Sequence, residues 1–130
     1  MKYFYAIVHK EEDSAYGVHF PDLPGCFSAA DDLNDVLPNA VEAMELWLED
    51  QPEPEASSVE AVRMIAADDL AQGAFLLAVP RMTTAGKLTR VNLSLDMGTL
   101  AAIDAAATSR KLTRSAFLAE AARNEIQGRH

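Results

Sequence analysis

The chain has 130 residues, of which 49% are hydrophobic and 24% are charged, a composition typical of a folded globular protein and not of a disordered one. The longest uncharged apolar stretch, residues 73–80, is too short to span a bilayer, and residues 1–9 lack the layout of a signal peptide. The single cysteine, Cys26, excludes an intrachain disulfide and a cysteine metal cluster, so we expect neither a zinc finger nor a disulfide scaffold, and a reducing cytoplasm as location.

The net charge of −9 is distributed unevenly along the chain. Residues 1–84 carry four cations and 16 acids, a net charge of −12, whereas residues 85–130 carry seven cations and four acids, a net charge of +3. Such a split predicts two modules with different partners. Small and polar residues without periodicity occupy the boundary. We therefore predict a first domain over residues 1–80, a linker over residues 81–88 and a second domain over residues 89–130.

The first domain begins with segments typical of β-strands. Residues 3–9 are rich in aromatic and β-branched residues, and residues 15–20 alternate between two faces, so together they predict a hairpin. The proline- and glycine-containing residues 21–25 predict a turn. Residues 26–29 are predicted to form a short third strand.

An amphipathic helix is predicted to follow, beginning between Asp32 and Asn34. Its apolar residues recur three and four positions apart: Leu33, Val36, Leu37, Ala40, Met44, Trp47 and Leu48. Pro38 conflicts with a helix interior because proline has no N–H to donate, and the later start reduces this conflict.

Two further elements complete the predicted first domain. Ser57 or Ser58 is a suitable N-cap for a short helix that runs to Val62. Residues 74–79 predict a last strand, which would be buried on both faces if it lay at the centre of the sheet.

The second domain has the pattern strand, helix, turn, helix. In residues 90–96, polar and apolar residues alternate, which predicts one strand with two unlike faces. Asp96 is a suitable N-cap for a helix that ends at about Ser109, and Thr113 is a suitable N-cap for a second helix. A lone strand leaves its backbone groups unpaired, so we expect two chains to pair here as an antiparallel ribbon.

This pattern resembles the ribbon-helix-helix repressors, in which a two-stranded ribbon enters the major groove of DNA. The resemblance implies that the outward side chains of the strand read base edges: Arg90, Asn92 and Ser94. The residue types suit this role, since arginine pairs with guanine, asparagine with adenine and serine with either. A protein-only dimerisation module is the alternative.

The same resemblance implies that the N-terminus of the second helix lies against a DNA phosphate, which its free N–H groups and helix dipole would attract. Nearby cations would add to this attraction. The residues expected at phosphates are Lys87, Arg110, Lys111, Thr113, Arg114 and Ser115.

A second resemblance concerns the first domain. Residues 16–26 read YGVHFPDLPGC, and residues 39–43 of the predicted helix read NAVEA. These strings resemble the HicB antitoxin family, in which an acidic domain followed by a ribbon-helix-helix domain is a known layout. The resemblance implies an α+β fold, with a partial ribonuclease-H-like antiparallel sheet and helices, followed by a dimeric strand-helix-helix domain.

The HicB resemblance also implies a function. The chain would be the antitoxin of a type II toxin–antitoxin pair, which inhibits a HicA-like, mRNA-cleaving toxin by occlusion and represses its own operon by binding operator DNA. An acidic domain can compete with RNA for the positive surface of such a toxin. The implied partners are this toxin, operator DNA and further copies of the chain, as a dimer through the ribbon and a tetramer through the first domain, with no membrane.

The candidate toxin contacts are the turn after the hairpin and the acidic face of the predicted helix. They are Asp22, Leu23, Pro24, Glu42, Glu45 and Glu49. A solvated helix face is the alternative interpretation of the three glutamates, and an Asx turn between two prolines is the alternative for Asp22.

A ribonuclease-H-like fold raises the question of nuclease chemistry, which needs several carboxylates around two divalent ions. The two hairpin strands contain no acidic residue. His9 and His19 could lie close across the hairpin, but two imidazoles without a third ligand make a weak metal site. Cys26 is expected to be a small buried hydrophobe. We therefore expect no enzymatic activity, no catalytic residue, no metal and no cofactor.

A different function class stays open for the first domain. The chain would then be a ribbon-helix-helix transcriptional regulator whose first domain senses a small molecule. Binding of a small basic protein encoded beside it would favour the antitoxin over this regulator.

Overall fold

The computed structural model describes residues 1–83 and 88–129. They divide into two compact units, one of Met1–Met82 with Gln127–Arg129 and one that lies within Thr83–Ile126. Within the described parts of the chain, no helix is both long enough and apolar enough to cross a bilayer. The architecture is mixed α+β.

The first unit contains one four-stranded antiparallel sheet. Its strands are β1 (Lys2–Lys10), β2 (Tyr16–His19), β3 (Phe27–Ala30) and β4 (Phe75–Arg81). The strand order is β3-β2-β1-β4, so β1 is paired along both edges. The predicted hairpin is confirmed, since β1 pairs with β2 in a register that sets Val8 opposite Val18.

The last strand differs from its predicted environment. β4 pairs only with β1 and is therefore an edge strand, not a central one. Phe75 and Ala78 are exposed, while Val79 and Pro80 are buried. The apolar run alone did not distinguish these positions, because burial of a strand depends on what covers each face.

Helix α1 (Leu33–Asp50) covers one face of the sheet. Asp32 caps it, accepting a hydrogen bond from the backbone N–H of Asn34. Pro38 lies inside the helix, so the early start is correct and one intrahelical hydrogen bond is lost. The residues buried together beneath α1 form the main core: Phe4, Ala6, Val8, Val18, Phe20, Leu23, Cys26, Ala30, Val36, Ala40, Val41, Met44 and Val79.

Two short helices lie over the opposite face of the sheet: α2 (Val59–Ile65) and α3 (Ala67–Ala71). Ser58, one of the two predicted candidates, is the N-cap of α2. Helix α3 was not predicted. Ile7, which alternates with the core residues of β1, is buried on this face. An open cavity of about 470 Å³ lies here, lined by Tyr5, Val59, Arg63, Leu70, Leu76 and Ala78.

Asp22 fastens the turn after β2 to a distant loop. Its carboxylate accepts hydrogen bonds from the Ser57 backbone N–H at 2.8 Å and from Ser57 Oγ at 2.7 Å. The indole Nε1 of Trp47 donates to the carbonyl oxygen of Pro24 at 2.9 Å. Both ends of this turn are thus held by contacts far apart in sequence.

The second unit contains helices α4 (Met97–Ser109) and α5 (Arg114–Ile126). Asp96 is the predicted N-cap of α4 and accepts from the backbone N–H of Thr99 at 2.7 Å. Thr113 Oγ1 accepts from the backbone N–H of Ala116, so the predicted cap of α5 is also confirmed. These caps satisfy N–H groups that the helices themselves leave unpaired.

Residues 88–95 carry no strand assignment in the single chain. The predicted strand is therefore not formed by one chain alone. The strand is not formed because a strand is defined by ladder hydrogen bonds, and the described residues of this unit include no second strand to supply them.

The turn between α4 and α5 requires a left-handed backbone at Lys111. This residue has a φ of 58°. Its N–H donates to the carbonyl oxygen of Thr108, and the N–H of Leu112 donates to that of Ala107. The pattern is a Schellman motif, in which glycine is the preferred residue at the left-handed position.

We expect Asp22→Ala to lower the free energy of unfolding of the first unit by about 1–3 kcal/mol, because the half-buried Ser57 donors would lose both acceptors. Urea unfolding of the full chain measures this change. Asp31→Ala removes an exposed carboxylate from the following loop and serves as the control. Equal losses in the two variants would contradict a structural role for Asp22.

Lys111→Gly should stabilise the second unit by about 1 kcal/mol relative to Lys111→Ala, because only glycine adopts this φ without a steric cost. Both variants lose the same charge, so their difference isolates the backbone effect. Thermal unfolding followed by far-UV circular dichroism provides the comparison. A glycine variant no more stable than the alanine variant would show that the turn is unstrained.

Candidate functional site

An exposed apolar segment precedes α4 in the second unit. Val91 is 72% exposed and Leu93 64% exposed, and Leu95 is exposed as well. Branched apolar side chains at alternate positions are typical of a strand with one buried face. Among the described residues, none covers this face, as expected for a strand that lacks its partner.

The apolar side chains of this segment share a groove with the two helices. The groove has a volume of about 990 Å³. It is lined by Leu88, Thr89, Arg90, Val91, Leu93, Leu95, Leu100, Arg114, Ser115, Leu118 and Ala119. A second apolar segment placed here would find contacts from both helices as well as from the strand segment.

The three predicted base-reading residues are all exposed, but they are not equivalent. Asn92 and Ser94 lie at the positions between the groove-lining residues. Arg90 is exposed and also borders the groove. Asn92 and Ser94 therefore lie outside the apolar groove, whereas Arg90 is one of the residues that line it.

The predicted phosphate-binding residues surround the turn and the start of α5. The guanidinium of Arg110 lies 5.2 Å from the centre of the Phe117 ring, a cation–π distance. Lys111 occupies the left-handed turn, and Thr113 and Ser115 are exposed at the start of α5. Lys87 lies outside the described residues.

Arg114 has an internal partner that its position in the sequence did not reveal. Its Nε and Nη2 donate to the two carboxylate oxygens of Asp104 on α4, both at 2.8 Å. This bidentate contact lowers the pKa of Asp104 below its usual range. Arg114 therefore connects α4 to α5, and a phosphate at this place would have to share its guanidinium with Asp104.

The acidic face of α1 is divided between exposed and engaged residues. Glu42 and Glu49 are exposed. Glu45 is half-buried and accepts a hydrogen bond from Gln127 Nε2 at 3.2 Å, with the Arg129 guanidinium 4.0 Å away; all three belong to the first unit. Of the three glutamates, Glu42 and Glu49 are thus the ones available to a partner protein.

Most residues of the turn that was predicted to contact a toxin make contacts within the first unit. Leu23 is completely buried in the core, because this apolar side chain packs inward, so it offers no exposed surface to a partner in this structure. Asp22 uses both carboxylate oxygens for Ser57. Pro24 is exposed, although its carbonyl oxygen is occupied by Trp47.

The remaining candidate residues lie in the sheet. Cys26 is buried, and burial raises the pKa of its thiol, which keeps it protonated and unreactive. His9 and His19 stack with ring centres 5.3 Å apart, as their predicted proximity required. Burial and, second to it, the neighbouring His9 lower the pKa of His19. Asp69 of α3 lies beside them, a contact that sequence spacing could not indicate.

The chain is similar to proteins of one known family. The model of the family described as "HicB_like antitoxin of bacterial toxin-antitoxin system" matches residues 4–122. The crystal structure of the antitoxin HicB of Burkholderia pseudomallei is 34% identical, with a TM-score of 0.53 and 97% of each chain covered. The crystal structure of the antitoxin HicB3 is 29% identical, with a TM-score of 0.52 and 96% of this chain and 98% of that one covered.

A third solved structure, the HicA3 and HicB3 toxin–antitoxin complex, is similar in fold at 23% identity and a TM-score of 0.50, covering 61% of this chain and 96% of that one. Matches to curated proteins are shorter, and the chain spans 67% of a UPF0150 protein of Archaeoglobus fulgidus at 41% identity over 46 residues. The family match covers almost all of both units. This chain therefore belongs to the HicB-like antitoxin family of bacterial toxin–antitoxin systems.

Proposed function

We propose that this chain neutralises a HicA-like, mRNA-cleaving toxin by occlusion and represses its own operon by binding operator DNA. The observation that carries the proposal is the combination, in one HicB-like chain, of an acidic first unit with a second unit whose apolar segment is left uncovered. The first feature suits a basic protein partner, and the second suits pairing with another copy of the chain.

Charge supports the toxin-binding half of the proposal. Residues 1–84 have a net charge of −12, and a surface that binds RNA is positive, so the two attract each other and associate quickly. A HicB3 chain of similar fold has been solved together with HicA3. Occlusion requires no bond to be made or broken, so we propose that the chain is not an enzyme.

Exposure of Glu42 and Glu49 places negative charge on the outer side of α1. We propose this helix face, together with Pro24, as the toxin-contacting surface. Glu45 borders the same face but is engaged by Gln127 and Arg129. To contact the toxin, Glu45 would therefore have to give up its contacts with Gln127 and Arg129.

Backbone pairing supports the DNA-binding half. Residues 90–95 have the alternation of a strand but no ladder partner in the part of the chain that the structure describes. Two copies could pair as an antiparallel ribbon over the groove of about 990 Å³. We propose that this ribbon makes the second unit a dimeric ribbon-helix-helix module. Asn92 and Ser94, and Arg90 after it turns from the groove, would then face the DNA bases.

The positive surface around the turn would contact the DNA backbone. Arg110 and Lys111 are exposed there, and the first N–H groups of α5 have no partner within the helix. Contacts of Thr113 and Ser115 to phosphate would fix the register of the ribbon without reading sequence. Lys87, which lies outside the described residues, is part of the same proposal.

Assembly and location follow from the same reasoning. We propose a dimer through the ribbon and a tetramer through the first unit, which resembles a partial ribonuclease-H-like domain. Paired ribbons would then meet neighbouring half-sites on the operator. The lone buried Cys26 fits a reducing cytoplasm.

The cavity on the α2–α3 face favours the second candidate function, a transcriptional regulator that senses a small molecule. Its volume of about 470 Å³ and its mostly apolar lining with Arg63 suit a small ligand. A chain that binds operator DNA but no HicA-like toxin would favour this regulator over the antitoxin.

We expect Glu42→Lys combined with Glu49→Lys to slow association with the purified HicA-like toxin encoded beside this chain by at least about tenfold, because exposed charges act mainly on the encounter rate. Surface plasmon resonance measures this rate. Glu60→Lys with Asp68→Lys is the matched control, since it changes the net charge equally on exposed positions of α2 and α3. Equal slowing by both pairs would remove the α1 face from the interface.

Arg90→Ala combined with Asn92→Ala should weaken binding to duplex DNA from upstream of the gene by at least about 100-fold, because both base contacts would be lost in each chain of the ribbon. Electrophoretic mobility shift with competitor DNA measures this loss. Toxin binding and dimerisation should be unchanged. Arg63→Ala removes one charge from the first unit as a control, and retained operator binding by the double variant would contradict the base-reading role.

A further inference from the structure

Three side chains from three separate elements converge on one side of the sheet. They are His9 of β1, His19 of β2 and Asp69 of α3, and each offers a ligand atom within 4.8 Å of the other two. The two imidazole rings are nearly parallel, with an interplanar angle of 12°. His9 Nε2 lies 3.9 Å from Asp69 Oδ1. All three residues are half-buried, so they are accessible to an ion from solution.

Strand register explains why the two histidines meet. His19 is opposite Ile7, and His9 is opposite Gly17, so the histidines are diagonal neighbours on one face of the hairpin. A Cβ atom added at Gly17, the residue opposite His9, would meet no atom within 4 Å. The opposite face at this point holds Val8 and Val18 of the core, which fixes the direction of the histidines.

The turn after α3 holds Asp69 over this hairpin. Its carbonyl oxygen accepts from the N–H of Gln72 at 3.1 Å and from that of Ala74 at 3.0 Å. Gly73, with a φ of 101°, allows the chain to reverse here and enter β4. These hydrogen bonds fix the backbone position of Asp69.

His9 and Asp69 lie at the distance of a long ion pair, without a hydrogen bond between them. At 3.9 Å the two atoms are too far apart for a hydrogen bond. Among the described residues, the Asp69 carboxylate has this ion-pair contact with His9 and accepts no hydrogen bond.

Two imidazole nitrogens and a carboxylate oxygen are a ligand set that Zn²⁺ accepts, at bond lengths of about 2.0–2.2 Å. In a tetrahedral site such bonds place the donor atoms roughly 3.3 Å apart. The three ligand atoms lie within 4.8 Å of one another, so a tetrahedral site would require them to move closer together on binding. A fourth position would remain open to water, because the site is half-buried.

We propose that His9, His19 and Asp69 form a Zn²⁺ site that ties α3 to the β1–β2 hairpin of the first unit. The site is independent of the proposed toxin and DNA contacts, none of which includes these residues. It differs from the sequence-based expectation of no metal because the third ligand, 50 residues beyond His19 in the chain, is supplied by α3.

The test uses the full chain without an affinity tag, freed of metal with a chelator and titrated with ZnCl₂ by calorimetry. We expect one ion per chain and a rise in the thermal unfolding midpoint on binding. His9→Asn, His19→Asn and Asp69→Asn should each weaken binding by at least about tenfold. Asp68→Asn and His130→Asn are matched controls that leave the three ligands intact and should bind as the wild type does.

Retention of wild-type Zn²⁺ affinity by any one of the three ligand variants would overturn this site. Co²⁺ provides a second measurement that does not depend on a variant folding. Bound in place of Zn²⁺, it should give the intense visible absorption of a four-coordinate ion, and a spectrum like that of the hexaaqua ion would also overturn the proposal. Mg²⁺, which prefers oxygen ligands, should neither bind in place of Zn²⁺ nor shift the unfolding midpoint.

Discussion

Backbone pairing along β1 is the constraint on which the first unit depends. Both edges of this strand are occupied, by β2 and by β4, so its side chains have fixed directions. One row, with Phe4, Ala6 and Val8, packs beneath α1, and the alternate row faces α2 and α3. The core and the histidine pair therefore lie on opposite sides of the same strand.

In the second unit, the apolar segment of residues 88–95 lacks the backbone pairing that β1 has in the first unit. Its apolar segment has the alternation of a strand, yet no described residue of the unit supplies ladder hydrogen bonds. In contrast, its helices are complete, with Asp96 and Thr113 as caps and Arg114–Asp104 as a bridge between them. Helices satisfy their backbone groups locally and a strand does not, so the proposed pairing with a second copy concerns this segment and not the two helices.

Position in the fold also changes what a side chain can do. Glu42, Glu45 and Glu49 look alike in the sequence, yet Glu45 is engaged by Gln127 while the other two are exposed. Leu23 belongs to a surface-like turn motif but is buried. The surface that we propose for a partner protein is therefore smaller than the motif from which it was predicted, because part of the motif holds the turn to the core.

Local patterns in the sequence determined the strands of the hairpin, the start of α1, the caps of α4 and α5 and the resemblance to the HicB-like family, because each rests on residues close together in the chain. Contacts between distant residues were decided only by tertiary structure: the edge position of β4, the Asp22–Ser57 link and Asp69 beside the two histidines. The physical reason is that alternation and capping are properties of the local backbone. Burial and side-chain convergence depend on which elements the folded chain brings together.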